Sequence, residues 1–295
     1  MNRATLSGIC AILFWSTTVA FSRILSESLG ALTTGALIYI LGGLLGLTVA
    51  SRQPGGLAQM LGMPKRYLFG CGALFVAYMV LLYLAIGLAH NSVQVLTVGL
   101  ANYLWPSLIM LFSIPLLGKR ASPWLIPGIL MALAGTGIAV LQNGSSTLSA
   151  LADTGQSLLP VILAVGAAVL WAFYSNLARK WASETGSAVP LFLLASGLIF
   201  LALRGFSGEI SHWDWKLAPS LLYMLVFPAW LGYLLWDIAM QRGDMPLVTA
   251  FSYFTPLLST LISLLVLQVQ PSPLLGLAAL LVTGGAIVSK WAIVD

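Results

Sequence analysis

The sequence predicts an all-α polytopic membrane protein with ten transmembrane helices in two inverted five-helix repeats. Three observations carry this. Hydrophobic residues make up 59% of the 295 positions and charged residues 7%, whereas a soluble domain carries charge at about a quarter of its positions. The charges gather between apolar runs of roughly 17–25 residues, the length that crosses a bilayer core as a helix. Aromatic, proline and glycine motifs then recur in the same order in both halves of the chain. Barrel strands would alternate polar and apolar positions over about ten residues. No such alternation occurs, which leaves helices to satisfy the backbone in lipid.

Taken in order, the spans fall at 5–24, 31–50, 67–88, 92–117, 123–141, 158–178, 188–203, 217–240, 245–268 and 273–291. The first has a basic start and an apolar run, as a secretory signal does. Trp15-Ser16-Thr17-Thr18 in its middle and Arg23 near its end are unlike a cleaved hydrophobic region, so it is expected to stay. The seventh is short and stops at Arg204. The connections are brief and polar, among them 51–56, Gly118-Lys119-Arg120, Asn143 to Ser157 and Gly205 to Lys216. None could hold a soluble catalytic or nucleic-acid-binding module. The organisation read from this pattern is a first repeat over 1–142, a periplasmic linker over 143–157 and a second repeat over 158–295.

Basic residues orient the chain. With the N-terminus in the cytoplasm, the inside receives Arg3, Arg52, Lys65, Arg66, Lys119, Arg120, Arg179, Lys180, Arg242 and Lys290, and the outside Arg23, Arg204 and Lys216. A ten-to-three bias predicts cytoplasmic termini. It also accounts for the net charge of +5, which therefore argues poorly for a nucleic-acid partner. Cys10 and Cys71 both lie within spans and read as small packing residues rather than a disulfide.

The repeat is visible residue by residue. Leu13-Phe14-Trp15, with Arg23 and Gly30 downstream, corresponds to Val169-Leu170-Trp171, with Arg179 and Gly186 downstream. Tyr103-Leu104-Trp105-Pro106 faces Tyr253-Phe254-Thr255-Pro256. Spans 5 and 10 both open on Ser-Pro and contain Gly135-Thr136-Gly137 and Thr283-Gly284-Gly285. Five spans per half make the second half inverted, an arrangement used by secondary transporters.

These features, Trp15 and Trp171, the prolines 106 and 256 and the glycine-rich fifth and tenth spans, resemble the drug/metabolite transporter superfamily with its EamA-type repeat. Within it the chain is most similar to bacterial aromatic amino acid exporters, and the resemblance covers essentially the whole chain. It implies a basket of ten helices around a central cavity surrounded by spans 1, 3, 4, 6, 8 and 9, with spans 5 and 10 packed as scaffold. It further implies a bacterial inner-membrane carrier whose small-molecule substrates are amino acids, embedded in the lipid bilayer and functional as a monomer.

The residue content fits that division. Ala132, Gly135 and Ala139, and Gly276, Leu280 and Gly284, recur at helical spacing in spans 5 and 10, where small residues let backbones approach. The other spans hold the polar and aromatic residues expected to bind substrate or line the cavity: Trp15, Thr18, Tyr78, Tyr83, Asn102, Trp105, Trp171, Tyr174, Ser175, Tyr233, Trp236, Asp237, Ser252 and Tyr253. For each the alternative is a helix–helix hydrogen bond. Trp124, Trp213, Trp215 and Trp291 sit at span ends or in loops and read as interface anchors. Pro106 and Pro256 lie deep in their spans and read as gating hinges or static kinks. Arg23 and Arg179 read as gate residues paired with acids such as Glu27 and Glu184, or as snorkelling cations. Asp237 is an intramembrane acid, a functional candidate by default, with an interfacial pair to Arg242 as its alternative.

No dinucleotide, Walker or metalloprotease motif occurs, and two histidines and two cysteines form no metal-ligand spacing. No cofactor or metal is expected. The reading is an exporter of aromatic and related amino acids or metabolites working by alternating access. The alternatives are export of other small metabolites or organic-cation drugs, or a membrane enzyme or scaffold that transports nothing.

Overall fold

The computed structural model describes residues 2–88, 98–99, 101–141, 158–182, 186–267 and 273–294. Among these, five helices are long and apolar enough to cross a membrane: Ala31–Arg52, Arg66–Gly87, Leu159–Trp181, Val189–Phe206 and Trp215–Arg242. Five shorter apolar helices, Arg3–Ser16, Trp105–Leu117, Leu125–Ile138, Met245–Leu258 and Gly276–Ala292, occupy the other expected spans. The segment 143–157 lies outside the described residues. A short helix at Gly56–Leu61 and a two-stranded antiparallel pair, β1 (Arg120–Ala121) with β2 (Ile293–Val294), were not legible from the pattern.

The spans are not uniform rods. Span 1 breaks at Thr17 into Arg3–Ser16 and Thr18–Leu29. There the Thr17 hydroxyl bonds the Phe14 carbonyl at 2.7 Å and the Tyr223 hydroxyl at 2.9 Å, a local alternative to the helical ladder. Spans 3 and 8 each contain a π-helical stretch, Arg66–Cys71 and Leu225–Leu231. The second holds Pro228; proline has no N–H for the α ladder, and such bulges recur at functional sites.

The chain folds into two compact units. One comprises Met1–Val76 with Leu177–Asp244, the other Ala77–Asn176 with Met245–Asp295. Each draws on both halves of the sequence, and each is centred on a pair of equivalent spans. In the first unit, spans 2 and 7 meet at Gly43 and Gly197, where an added Cβ would sit 2.7 Å from the Leu194 nitrogen and 2.6 Å from the Ile40 nitrogen. In the second, spans 5 and 10 meet at Gly135 and Gly285, with the Ala278 carbonyl 2.8 Å and the Ala132 nitrogen 2.4 Å from the added atom. Close backbone approach of this kind holds helices together where lipid removes the hydrophobic drive.

The contact face of span 10 differs from the expected one. Leu280 is 74% exposed, and a Cβ on Gly276 would meet nothing within 4 Å. The buried stripe is Ala278, Val282 and Gly285, continued by Ser289. Small residues occupy both stripes, so spacing alone could not set the rotational phase. Ala132 and Gly135 of span 5 do lie on the contact face, while the side chain of Ala139 lies outside the described residues.

In the first unit the loop after span 7 is clamped to the start of span 2. Gly30 turns the chain with φ +84°, a left-handed conformation that suits glycine. The freed N–H groups of Leu32 and Thr33 donate to the Glu209 carboxylate at 2.9 and 2.8 Å. The Thr33 hydroxyl adds a 2.7 Å bond, and the Arg204 guanidinium lies 3.6 Å away. Burial alone would raise the Glu209 pKa; these donors and the cation outweigh it and hold the group below its ordinary value of 4.5. A carboxylate at a helix N-terminus is favoured by the orphan N–H groups and the helix dipole.

Candidate functional site

The expected site residues separate into one cluster per unit. In the first unit Trp15 is the hub. Its indole N–H donates to the Pro228 carbonyl at 3.0 Å, one of the groups in the π-helical stretch. Its ring lies 5.1 Å from Tyr233 and 5.3 Å from Trp236. Tyr233 in turn meets Phe75 edge-on at 5.1 Å. Phe75 carries no polar atom to distinguish it from packing residues and was not singled out from sequence. Thr18 is half-buried, and its hydroxyl oxygen has no hydrogen-bond partner among the described residues.

Asp237 is fully buried in this unit. Its Oδ2 accepts from the Tyr67 hydroxyl at 2.5 Å, the Ser187 hydroxyl at 2.5 Å and the Gln241 amide at 2.7 Å. The Tyr67 oxygen itself accepts from the Ala188 N–H at 3.2 Å. One carboxylate oxygen thus gathers the start of span 3, the approach to span 7 and span 8. Charge-assisted bonds of this kind are the strong ones, so Asp237 acts here as an internal fastening. Tyr67 and Ser187 escaped sequence reading because they lie 170 and 50 residues from Asp237, while Gln241, one helical turn on, was not singled out. Only the lone intramembrane acid signalled the network.

Arg179 donates to the Met240 and Gly243 carbonyls at 3.0 and 2.9 Å, so it caps the C-terminal end of span 8, where a cation is favoured. The side chain of Arg23, its expected counterpart, lies outside the described residues, as does Glu184.

In the second unit the hub is Trp171, with Tyr78 at 4.7 Å and Tyr174 at 4.9 Å. All three rings are buried. Asn102 lies within hydrogen-bonding reach of the Tyr78 hydroxyl, with Tyr83 and Tyr103 near it. The Asn102 carboxamide oxygen is buried without a partner among the described residues. So is the Asn176 oxygen, although the Asn176 amide nitrogen donates to the Ile109 and Ala172 carbonyls. Tyr253 shares a 2.7 Å hydrogen bond with Ser107, which makes it a helix–helix tie. Ser252 donates to the Thr249 carbonyl. Ser175 is buried and Trp105 nearly so.

The prolines do not kink continuous helices. Pro106 is the second residue of the helix Trp105–Leu117, after turn residues at 103–104. Pro256 is the third residue of Phe254–Leu267, after a turn at Tyr253. A missing N–H costs nothing in a first turn. The matched feature is therefore a helix break at Tyr103 and Tyr253, restarted by the following proline.

Among the described residues no three His, Cys, Asp or Glu side chains gather into a metal site. Comparison with known proteins bears on the whole chain. The model of the EamA-like transporter family matches residues 2–141 and again 158–291. The aromatic amino acid exporter YddG of Ancylobacter novellus is 32% identical over 293 residues, covering 98% of this chain and 97% of its own. The exporter of the same name from Escherichia coli is 31% identical over 287 residues, covering 97% and 96%. That from Salmonella typhimurium is 32% identical over 277 residues, covering 90% and 89%. A solved crystal structure at 31% identity superposes with a TM-score of 0.81 over 97% of this chain and 96% of that one. A polytopic helical chain that matches the same transporter repeat twice is a transporter rather than an enzyme, and it belongs to the EamA-like transporter family.

Proposed function

We propose that this protein exports aromatic amino acids, and related amino acids or metabolites, across the membrane by alternating access, with both termini in the cytoplasm. The observation that carries the substrate class is the second unit's cluster of Tyr78, Trp171 and Tyr174 beside the Asn102 oxygen, which has no partner among the described residues. A buried acceptor without a donor costs free energy that a substrate ammonium can recover. Aromatic faces and edges supply area for a ring at 4.5–7 Å spacing, worth about 1 kcal/mol each beyond burial. An aromatic amino acid presents both groups. The family membership and the relatives named as aromatic amino acid exporters support the same class. The breaks at Thr17, Tyr103 and Tyr253 give spans 1, 4 and 9 places to bend. The ten-to-three split of basic residues supports the orientation, and the repeats read at 1–142 and 158–295 supply the inverted halves.

The test is flux of radiolabelled Trp, Phe and Lys into liposomes carrying the purified protein. Trp and Phe should saturate, and unlabelled Trp on the far side should accelerate their exchange. Asn102→Leu should cut Trp flux at least tenfold while the protein stays folded, because it removes the acceptor. Undiminished Trp flux in that variant overturns the site. Flux that rises linearly with concentration, with no acceleration, overturns alternating access.

A further inference from the structure

The Asp237 fastening in the first unit contains one atom that it does not use. Gln241 follows Asp237 by one helical turn, and its carboxamide nitrogen donates to Asp237 Oδ2 at 2.7 Å. The Gln241 carboxamide oxygen, two bonds from that nitrogen, is buried and has no hydrogen-bond partner among the described residues. We propose that Asp237 and Gln241 form a proton-binding site: the protonated carboxyl donates to this oxygen, and the carboxylate's hold on the start of span 3 and the approach to span 7 is thereby released.

The first support is complementarity. A carboxylate only accepts hydrogen bonds, whereas a protonated carboxyl also has an O–H to donate. A carboxamide offers a donor and an acceptor side by side. Against an ionised carboxylate only its donor is used. Against a carboxylic acid both are used, N–H to the acid carbonyl and acid O–H to the amide oxygen. Tyr67, Ser187 and Gln241 all donate to Oδ2, so the proton goes on Oδ1 and the bond from Gln241 is kept. Turning the carboxamide over would instead set its oxygen against the carboxylate. A buried acceptor without a donor costs free energy, and the bound proton removes that cost.

The second is what the proton weakens. Hydrogen bonds to an ionised oxygen are about twice as strong as neutral ones, and a neutral carbonyl oxygen has two lone pairs for three donors. Tyr67 belongs to the π-helical stretch Arg66–Cys71 of span 3, and Ser187 lies just before span 7, which begins at Val189. The Tyr67 oxygen also accepts from the Ala188 N–H at 3.2 Å. Neutralising Asp237 therefore loosens two segments at once.

The third is access. Asp237 is buried, but Ser187 and Gln241 are half-buried and Arg242 is exposed. One helical turn, about 6 Å, thus separates the carboxyl from the end of its helix. The titratable and charged groups on the elements around it are Tyr67 and Cys71 of span 3, Arg3 and Cys10 of span 1, Arg179 at the end of span 6, and Arg242 and Asp244 after Asp237 itself. Phenol and thiol are uncharged in acid and arginine keeps its charge. Asp237 and Asp244 are therefore the two of these that take up a proton as pH falls.

The experiment follows the purified full chain by infrared difference spectroscopy. Between about pH 9 and about pH 4, the range in which buried carboxyls titrate, the parent protein should gain a carboxylic C=O band. Asp237→Asn should lack it, and Asp244→Asn should keep it. Gln241→Met should move the band to higher frequency, because the acid O–H loses its partner. Amide exchange at Ala188, corrected for its intrinsic pH dependence, should quicken about tenfold as the band appears, the factor by which a bond to a charged group exceeds a neutral one. In Asp237→Asn that exchange should be fast at every pH. No band removed by Asp237→Asn overturns the site, a band unmoved in Gln241→Met overturns the pairing, and exchange indifferent to the band overturns the release. If Asp237→Asn does not fold, the band shift in Gln241→Met decides. None of these readings needs a transported solute, so the proton site and the export reading stand or fall separately.

Discussion

The two units of this protein are built on equivalent span pairs yet held by different chemistry. The first, around spans 2 and 7, contains five described acidic residues, Glu27, Glu209, Asp214, Asp237 and Asp244. Two of these, Asp237 and Glu209, collect several hydrogen bonds each from distant segments. The second has no described acid and relies on apolar packing around Met110, Ile129, Val282 and Ala286, with neutral ties such as Ser107–Tyr253. Buried oxygens without described partners occur in both, at Thr18, Thr34 and Gln241 in the first unit and at Asn102, Asn176, Thr249 and Thr255 among others in the second. The first unit is thus fastened by charged groups and the second by apolar contacts and neutral hydrogen bonds. The proposed substrate contact, beside Trp171 and Asn102, belongs to the second unit although Trp15 and Trp171 are equivalent in sequence.

The sharpest way to break the comparison is to exchange stability for flux at one residue per unit. Asp237→Leu should strand the Tyr67, Ser187 and Gln241 donors and cost about 3 kcal/mol or more, since bonds to a charged group are worth ~1.5–3 kcal/mol each. Thermal unfolding in detergent should show the loss. Asn102→Leu gives up one hydrogen bond to Tyr78, so it should cost about 1 kcal/mol, far less than Asp237→Leu, and lose flux. If Asp237→Leu melts as the parent protein does and merely stops transport, Asp237 is a working residue and the first unit is more than a fastening.

Packing in the second unit gives the next largest effect. Gly285→Leu should cost about 2–3 kcal/mol, because even its Cβ would sit 2.4 Å from the Ala132 nitrogen, and overpacking a tight contact is penalised on that scale. Gly276→Leu, with nothing within 4 Å of the added Cβ, should change the folded yield little. Equal losses for both would mean that span 10 packs on the face suggested by its sequence pattern rather than the observed one.

The spans themselves were legible because membrane length and hydropathy leave few alternatives: residues 31–50, 188–203 and 245–268 were expected where helices now stand. The repeat was legible from Trp15 and Trp171 and from Tyr103 and Tyr253. Three things were not. Rotational phase was ambiguous because span 10 has small residues on two stripes. The prolines misled, since a proline restarting a helix and one kinking it read alike without knowing where the ladder breaks. The partners of Asp237 were hidden because Tyr67 and Ser187 reach it only through the tertiary fold, and a tyrosine at a span start reads equally well as an interface anchor.

The smallest effect tests whether the first unit's second fastening is electrostatic. Glu209 is held below its ordinary pKa, so its contribution to stability is fully present above about pH 4.5 and is lost as pH falls through the lowered folded value. Glu209→Gln keeps one oxygen for either the Leu32 or the Thr33 N–H, sets an NH2 against the other, and removes the charge that favours the helix N-terminus and Arg204. At pH 7 it should cost about 1 kcal/mol, the usual scale for a cap with its dipole interaction. Arg204 and Glu209 are partly solvated, and their ion pair adds little beyond that. The stability difference between the parent protein and Glu209→Gln, followed by thermal unfolding from pH 7 down to acid, should stay constant at first. It should then shrink toward zero below the ordinary carboxylate range, as the parent's carboxyl takes up its proton. A difference that persists unchanged into acid would mean that the clamp depends on shape and hydrogen bonds alone, and the contrast between a charge-fastened unit and an apolar one would then rest on Asp237.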